Sequence, residues 1–179
     1  MKRVLLIVIA LVFPVVSLCA QGNIYEPERG EVFTYHKDGR PIILYRDTLL
    51  SNPGAVLFPL YEEYRGWDSD VDWMTGFIVH IAYEYESCFS LKDEGWISLY
   101  VNKGDVAINT RNYDGADLVL YEQPFKEAPY IIISKQELTL PVFGIKDGWV
   151  KVRYKQNDSI IEGWLPPEMI CGNPFTPCC

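Results

Sequence analysis

One pattern constrains this chain more than any other: its strand and turn residues come round twice. Leu44-Tyr45 and, further on, Gly95-Trp96-Ile97-Ser98-Leu99 return as Leu120-Tyr121 and Gly148-Trp149-Val150-Lys151-Val152. Self-similarity of this kind means two copies of one small unit, and it bounds the architecture before any single residue is interpreted. The repeated residues belong to strands and turns and include no set of catalytic side chains. That favours a binding protein over an enzyme.

The unit itself reads as β. Val150, Val152 and Tyr154 alternate with Lys151 and Arg153, and Ile97, Leu99 and Val101 alternate with Ser98 and Tyr100, the period-two signature of a half-buried strand. Further strands are expected at 42–45, 55–60, 77–83, 105–108, 118–121, 130–134, 138–143 and 159–165. Between them stand turn residues that tolerate positive φ or preset a bend, such as Lys37-Asp38-Gly39, Asn52-Pro53-Gly54, Asp114-Gly115 and Lys146-Asp147-Gly148. No stretch of ten residues carries a helical stripe. Many short strands with regular turns mean an all-β chain, a small barrel or sandwich.

The first twenty residues are of a different kind. Lys2 and Arg3 precede an apolar run from Val4 to Val16, and small or neutral residues lead from Ser17 to Ala20 into Gln21. This is the pattern of a signal peptide cut after Ala20, so the protein is expected to be exported, to the periplasm or beyond. The run is shorter than the roughly 20 residues of a membrane-spanning helix, and Pro14 interrupts it. Cys19 raises lipid anchoring as an alternative. Leu18 disfavours it, because it stands where such processing signals carry a small residue. No other segment is apolar enough to cross a bilayer.

Without Lys2 and Arg3 the chain has 14 basic against 24 acidic side chains, a net charge of −10. Such a surface repels phosphate backbones, so nucleic acid is not an expected partner. Four cysteines follow the leader: Cys88, Cys171, Cys178 and Cys179. In an exported chain they are disulfide candidates with three complete pairings possible. A bridge from Cys171 to Cys178 or Cys179 would tie down the tail around Pro174 and Pro177. The spacing fits no zinc motif, and no metal or cofactor is expected.

The copies differ in length. Tyr45 and Tyr121 are 76 positions apart but Trp96 and Trp149 only 53, which leaves about 23 extra residues in the first copy, near 59–81. This insertion carries Tyr61, Tyr64, Trp67 and Trp73 beside Glu62, Glu63, Asp68, Asp70 and Asp72, and reads as an acidic, aromatic surface loop. A helix-loop-helix calcium site is excluded, because Trp73 and Val79 stand where that loop needs Gly and Glu.

The second copy opens with Leu118-Val119-Leu120-Tyr121, continues through Gly148-Trp149-Val150-Lys151-Val152 and closes with Gly163-Trp164-Leu165-Pro166. In that order these elements resemble the bacterial secreted branch of the Src-homology-3 family, well over 116–170 and more loosely over 40–110. The resemblance implies two small Src-homology-3-like β-barrels in tandem. The chain then divides into a leader (1–20), an N-terminal segment (21–37), a first module with its insertion (38–112), a second module (113–170) and a cysteine-rich tail (171–179). It also implies a ligand groove at Trp149, Pro166 and Tyr121, with Trp96 as the equivalent in the first copy. By the period-two rule Trp149 and Trp96 point away from the core and are expected to be at least partly exposed, either lining a groove or sealing the contact between the modules. The first copy lacks the closing Gly-Trp-Leu-Pro element and has Gly104-Asp105-Val106-Ala107-Ile108 in its place.

Catalysis is not expected. A cysteine peptidase of the kind fused to such modules needs a His after its Cys, and His36 and His80 both precede Cys88. Neither has a recognisable serine nucleophile setting, and no Gly-rich phosphate loop or nucleotide fingerprint is present. The expected function is recognition of a cell-envelope component, peptidoglycan or peptide, or of a protein partner. The alternative is an inhibitor or immunity-type protein whose acidic aromatic insertion blocks an enzyme.

Overall fold

A computed structural model describes residues 31–65, 70–92 and 99–172, those at 61–65 and 70–75 by their backbone. The leader, Trp67, Trp96, Cys178 and Cys179 lie outside the described residues. The strands are β1 (Glu31–Thr34), β2 (Ile42–Tyr45), β3 (Pro53–Leu57), β4 (Leu60–Arg65), β5 (Asp70–Thr75), β6 (Ile78–Glu84), β7 (Cys88–Leu91), β8 (Tyr100–Asn102), β9 (Val106–Thr110), β10 (Leu118–Tyr121), β11 (Tyr130–Ser134), β12 (Thr139–Lys146), β13 (Trp149–Gln156), β14 (Ser159–Leu165) and β15 (Ile170–Cys171). Short 3₁₀ turns at Lys37–Gly39, Tyr113–Gly115 and Pro167–Met169 complete the described elements. None of these is long and apolar enough to cross a membrane as a helix.

The repeat is written into the hydrogen bonding. β2 pairs with β3 and β8, β6 with β7, β7 with β8, and β1 with β6 and β9. The same graph recurs as β10 with β11 and β14, β12 with β13, β13 with β14, and β9 with β12 and β15. β9 therefore serves twice, as the last strand of the first repeat and the first strand of the second. All strands but β4 and β5 join one 13-stranded antiparallel sheet whose ends are β11 and β3.

This corrects the division at 112/113. The two repeats are not independent modules, because β9 pairs across that boundary with β12 and β15 and because one apolar core, from Val32 and Phe89 to Val150 and Ile170, runs through both. The N-terminal segment 21–37 also contributes a strand, β1, with Val32 fully buried. β7 was not anticipated: Cys88-Phe89-Ser90 are buried on both faces and so show no alternation.

The extra residues of the first repeat form a hairpin, β4 with β5, outside the main sheet. Register fixes its size. Thr34 and Phe77 are 43 positions apart while the equivalent Thr110 and Leu138 are 28 apart, so the insertion is 15 residues and not 23. Gly76 closes it at a point where the chain passes so near β1 that a Cβ would lie 1.8 Å from the Thr34 carbonyl oxygen.

Each repeat begins with one buried polar device. Thr110 Oγ1 accepts the Leu138 N–H (2.8 Å) and donates to Asn112 Oδ1 (2.8 Å), and Asn112 Nδ2 donates to the Ala116 carbonyl (3.2 Å). In the first repeat Thr34 Oγ1 accepts the Phe77 N–H (2.8 Å) and contacts His36 Nε2 (3.0 Å), while His36 Nδ1 lies 3.0 Å from the Arg40 carbonyl. A carbonyl can only accept, so Nδ1 carries the proton and Nε2 accepts from Thr34, as Oδ1 does in Asn112. His36→Asn should therefore change stability by less than about 1 kcal/mol, whereas His36→Ala should cost about 1–3 kcal/mol by leaving buried partners unpaired. Denaturant unfolding of the two variants checks this.

Candidate functional site

Trp149 is placed by the tight turn before it. Asp147 and Gly148 both have positive φ (47° and 80°), the geometry that joins β12 to β13 through two residues with the twist of a hairpin. Beyond the turn the alternation holds: Val150 and Val152 are fully buried, and Lys151 and Arg153 face the other way. Trp149 departs from expectation. It shares the outward face yet is only 8% exposed, because Tyr121 at the end of β10 packs edge-on against it, ring centroids 5.3 Å apart at 89°.

Tyr121 in turn meets Tyr130 at 5.5 Å across the β10–β11 hairpin. The ladder sets Tyr121 opposite Trp164, which is half-buried. Pro166, the remaining groove candidate of the second repeat, is buried where β14 runs into its 3₁₀ turn. The aromatic surface on offer is thus Tyr130, 58% exposed, with Phe125 from the adjoining loop, 50% exposed. Neither was singled out from the sequence. The signal was there in the hairpin pairing, which sets Tyr130 opposite Tyr121 once the loop 122–129 is recognised as the connection. A Lys126–Glu168 ion pair (2.6 Å) ties that loop to the 3₁₀ turn. Burial is the largest single influence on the Glu168 carboxyl and works to raise it, but the hydrogen bond from Lys126, one from its own backbone N–H and the Lys126 charge together hold it below its ordinary value.

Among the described residues the first repeat lacks a buried Trp base; its aromatic pair is instead Tyr85 edge-on to Tyr100, centroids 5.8 Å apart at 73°, with Tyr85 exposed. Glu84 pairs with Phe89 as Ile145 pairs with Val150, so the residue equivalent to Trp149 is Cys88, not Trp96. By the same register Asn102 takes the place of Pro166 and Tyr100 that of Trp164. Cys88 is a buried free thiol that donates to the Thr48 carbonyl at 3.6 Å, so it is not half of a disulfide. Burial raises its pKa above the ordinary thiol value. Cys171, buried in β15, is disulfide-bonded.

A second concavity, a cleft of about 460 Å³, lies where the repeats meet. Ser87, Asn102 and Lys103 come to it from one repeat, and Phe143, Lys151, Arg153 and Glu162 from the other. Apart from Glu86, which also lines it, its charges are matched by ion pairs. Lys103 Nζ is 2.6 Å from Glu84 Oε1, and Glu84 Oε2 accepts the Ile145 N–H (2.8 Å). Arg153 stacks on Phe143 at 3.9 Å and donates from Nε to Glu162 (2.6 Å), which also binds Lys151. This cleft reads as a polar seam.

Hydrogen bonds from Lys151 and then Arg153 hold the Glu162 carboxyl below its ordinary value, against the opposing effect of burial. A depressed carboxyl stabilises the fold above its unfolded pKa, and that contribution is lost as pH falls through the folded value. Glu162→Gln should therefore be less stable than the parent at neutral pH, with the two converging below about pH 4. Chemical denaturation at several pH values tests the convergence. Comparison with protein-family models, with curated proteins and with solved structures finds no match to the chain.

Proposed function

We propose that the chain is an exported, non-catalytic binding protein built from two Src-homology-3-like repeats, and that it recognises a cell-envelope component, peptidoglycan or peptide, or a protein partner. The observation that carries this reading is the corner at which Tyr121 meets Tyr130 and Trp149, with Tyr130 presented to solvent beside a half-buried Tyr121 and Phe125 presented to solvent on the adjoining 122–129 loop. Exposed aromatics on a rigid base bind flat or apolar groups with little loss of side-chain freedom. The family reading is supported by the placement of the closing Gly163-Trp164-Leu165-Pro166 element, which ends β14 and passes into a short 3₁₀ turn before β15.

The test is co-sedimentation with purified peptidoglycan sacculi alongside capture of proteins from an envelope extract. Tyr130→Ala and Phe125→Ala should each weaken binding by about tenfold with the melting temperature unchanged, since both side chains are half or more exposed. Binding unaffected by both substitutions overturns the assignment of the site. Capture of one enzyme, with its inhibition lost on removing residues 61–75, would transfer the role to the inserted hairpin.

The tail belongs to the same reading. We assign the Cys171 bridge to Cys178 or Cys179, a short loop worth on the order of 2–3 kcal/mol when unstrained. Non-reducing peptide mapping should recover Cys171 joined to a tail peptide; a free Cys171 thiol would sink the assignment.

A further inference from the structure

A β-bulge shapes the cleft between the repeats. The β12–β13 register shifts between Val142 and Gly144, so Phe143 is the extra residue, and a bulge of this kind re-aims a side chain. The Phe143 ring lies against Gly104 of the other repeat, where φ is +85° and a Cβ would come within 2.8 Å of the ring. A larger residue there would push the ring away. Arg153 stacks on the same ring at 3.9 Å and donates from Nε to Glu162 Oε2 (2.6 Å). Ring and carboxylate together fix the plane of the guanidinium.

Two groups in this cleft remain unspent. Glu162 gives one oxygen to Arg153 and the other to Lys151, so its own charge is fully engaged. The two terminal Nη groups of Arg153 have no partner among the described residues, and the side chain is 46% exposed. A guanidinium held by its Nε edge presents those groups as a fork, the shape that takes a carboxylate through two parallel hydrogen bonds. The second group comes from the first repeat. Glu86 stands in the β6–β7 turn, which is closed by the Tyr85 N–H donating to the Cys88 carbonyl (2.9 Å), and its carboxylate has no partner among the described residues. A cleft of about 460 Å³, within the size range of small-ligand sites, thus offers one open cationic fork and one unpaired carboxylate.

We propose that this cleft binds a small zwitterion, a short peptide with free ends, whose carboxylate sits on the Arg153 fork and whose ammonium pairs with Glu86. A bare anion would share the cleft with Glu86, a like charge, and a bare cation would meet Arg153 and Lys151. A ligand carrying both charges satisfies both groups. The acidic surface of the chain also repels anions from a distance, and a ligand of zero net charge escapes that repulsion. The cleft shares no residue with the aromatic corner at Tyr121, Tyr130 and Trp149, so either site can fail without the other.

NMR titration of the purified protein with the dipeptide alanyl-alanine should show saturable binding with a Kd below about 1 mM. Acetylating the amine of the probe, or amidating its carboxylate, should each weaken binding about tenfold. Glu86→Gln changes an exposed side chain that has no partner, so the melting temperature should stay unchanged. In that variant the free and the acetylated probe should bind equally. Arg153→Lys keeps the charge and loses the fork, and should bind the acid no better than the amide. Circular dichroism confirms that both variants fold. Tyr130→Ala should bind the probe as the parent does. Any of four results overturns the proposal: no binding up to about 10 mM probe; equal binding of the free and capped probes by the parent; inorganic phosphate or acetate bound as tightly as the dipeptide, which would mean an anion site only; or binding lost in Tyr130→Ala, which would move the peptide to the aromatic corner.

Discussion

Trp149→Ala should remove about 3–5 kcal/mol of stability, a large share of the 5–15 kcal/mol that holds a typical domain together. The expectation rests on burial. Trp149 is 8% exposed, sits between the Asp147-Gly148 turn and fully buried Val150, and supports the ring of Tyr121. Truncation would leave a hole beside Tyr121 and release the ring pairing with Tyr130. Trp149→Phe keeps an aromatic edge for Tyr121 and should retain most of the stability. Equilibrium denaturation separates these outcomes, with Tyr130→Ala as a control expected to stay within about 1 kcal/mol of the parent. A Trp149→Ala chain as stable as the parent would show that the outward face of β13 is open, as the alternation alone suggests.

A chain cut after residue 112 should lose the fold of its second repeat altogether, whereas one beginning at 104 should keep it. β9 is the reason. It pairs with β12 through Asn109, Ile108 and Ala107 and with β15 through Thr110 and Asn109, and Val106, Ala107 and Ile108 have no exposed surface. Residues 113–179 would carry β12 and β15 with nothing between them, and the apolar side chains that pack on Ile108 would face water. Restoring 104–112 supplies the missing strand. Circular dichroism and thermal unfolding of the two fragments should give a featureless profile for the shorter one and a cooperative transition for the longer. In the intact chain the shared strand predicts one transition for both repeats, and Ile108→Pro, which removes an N–H from the middle of the sheet, should abolish it.

Much of this was legible in the residues themselves. Strand alternation, the Gly- and Asp-bearing turns and the 76-residue recurrence of Leu44-Tyr45 at Leu120-Tyr121 specify an all-β repeat, because period and turn chemistry are local properties of the chain. The same recurrence extends to features passed over in the sequence: Thr34 and Thr110, Asp38 and Asp114, and His36 where the second copy has Asn112. These were obscured because His and Asn look unlike each other, although both offer one donor and one acceptor.

Other properties were decided only by tertiary contact. The Gly-Trp match pointed to Trp96 as the counterpart of Trp149, but register assigns that place to Cys88, since identical dipeptides carry no register of their own and the false match inflated the insertion from 15 residues to 23. Trp149 is buried although the strand period turns it outward, because a neighbour from another strand covers it. Alternation and turn chemistry specified most of the strands and that they come twice, though not β1, β7 or the β4–β5 hairpin. Only the assembled sheet decided that the two repeats share β9, which turns an expected pair of modules into one unit and leaves β11 as its open edge. The physical reason is that a β-strand's hydrogen bonds lie to either side of it: the chain can specify that a strand forms, and only its neighbours in space can specify which strand it serves.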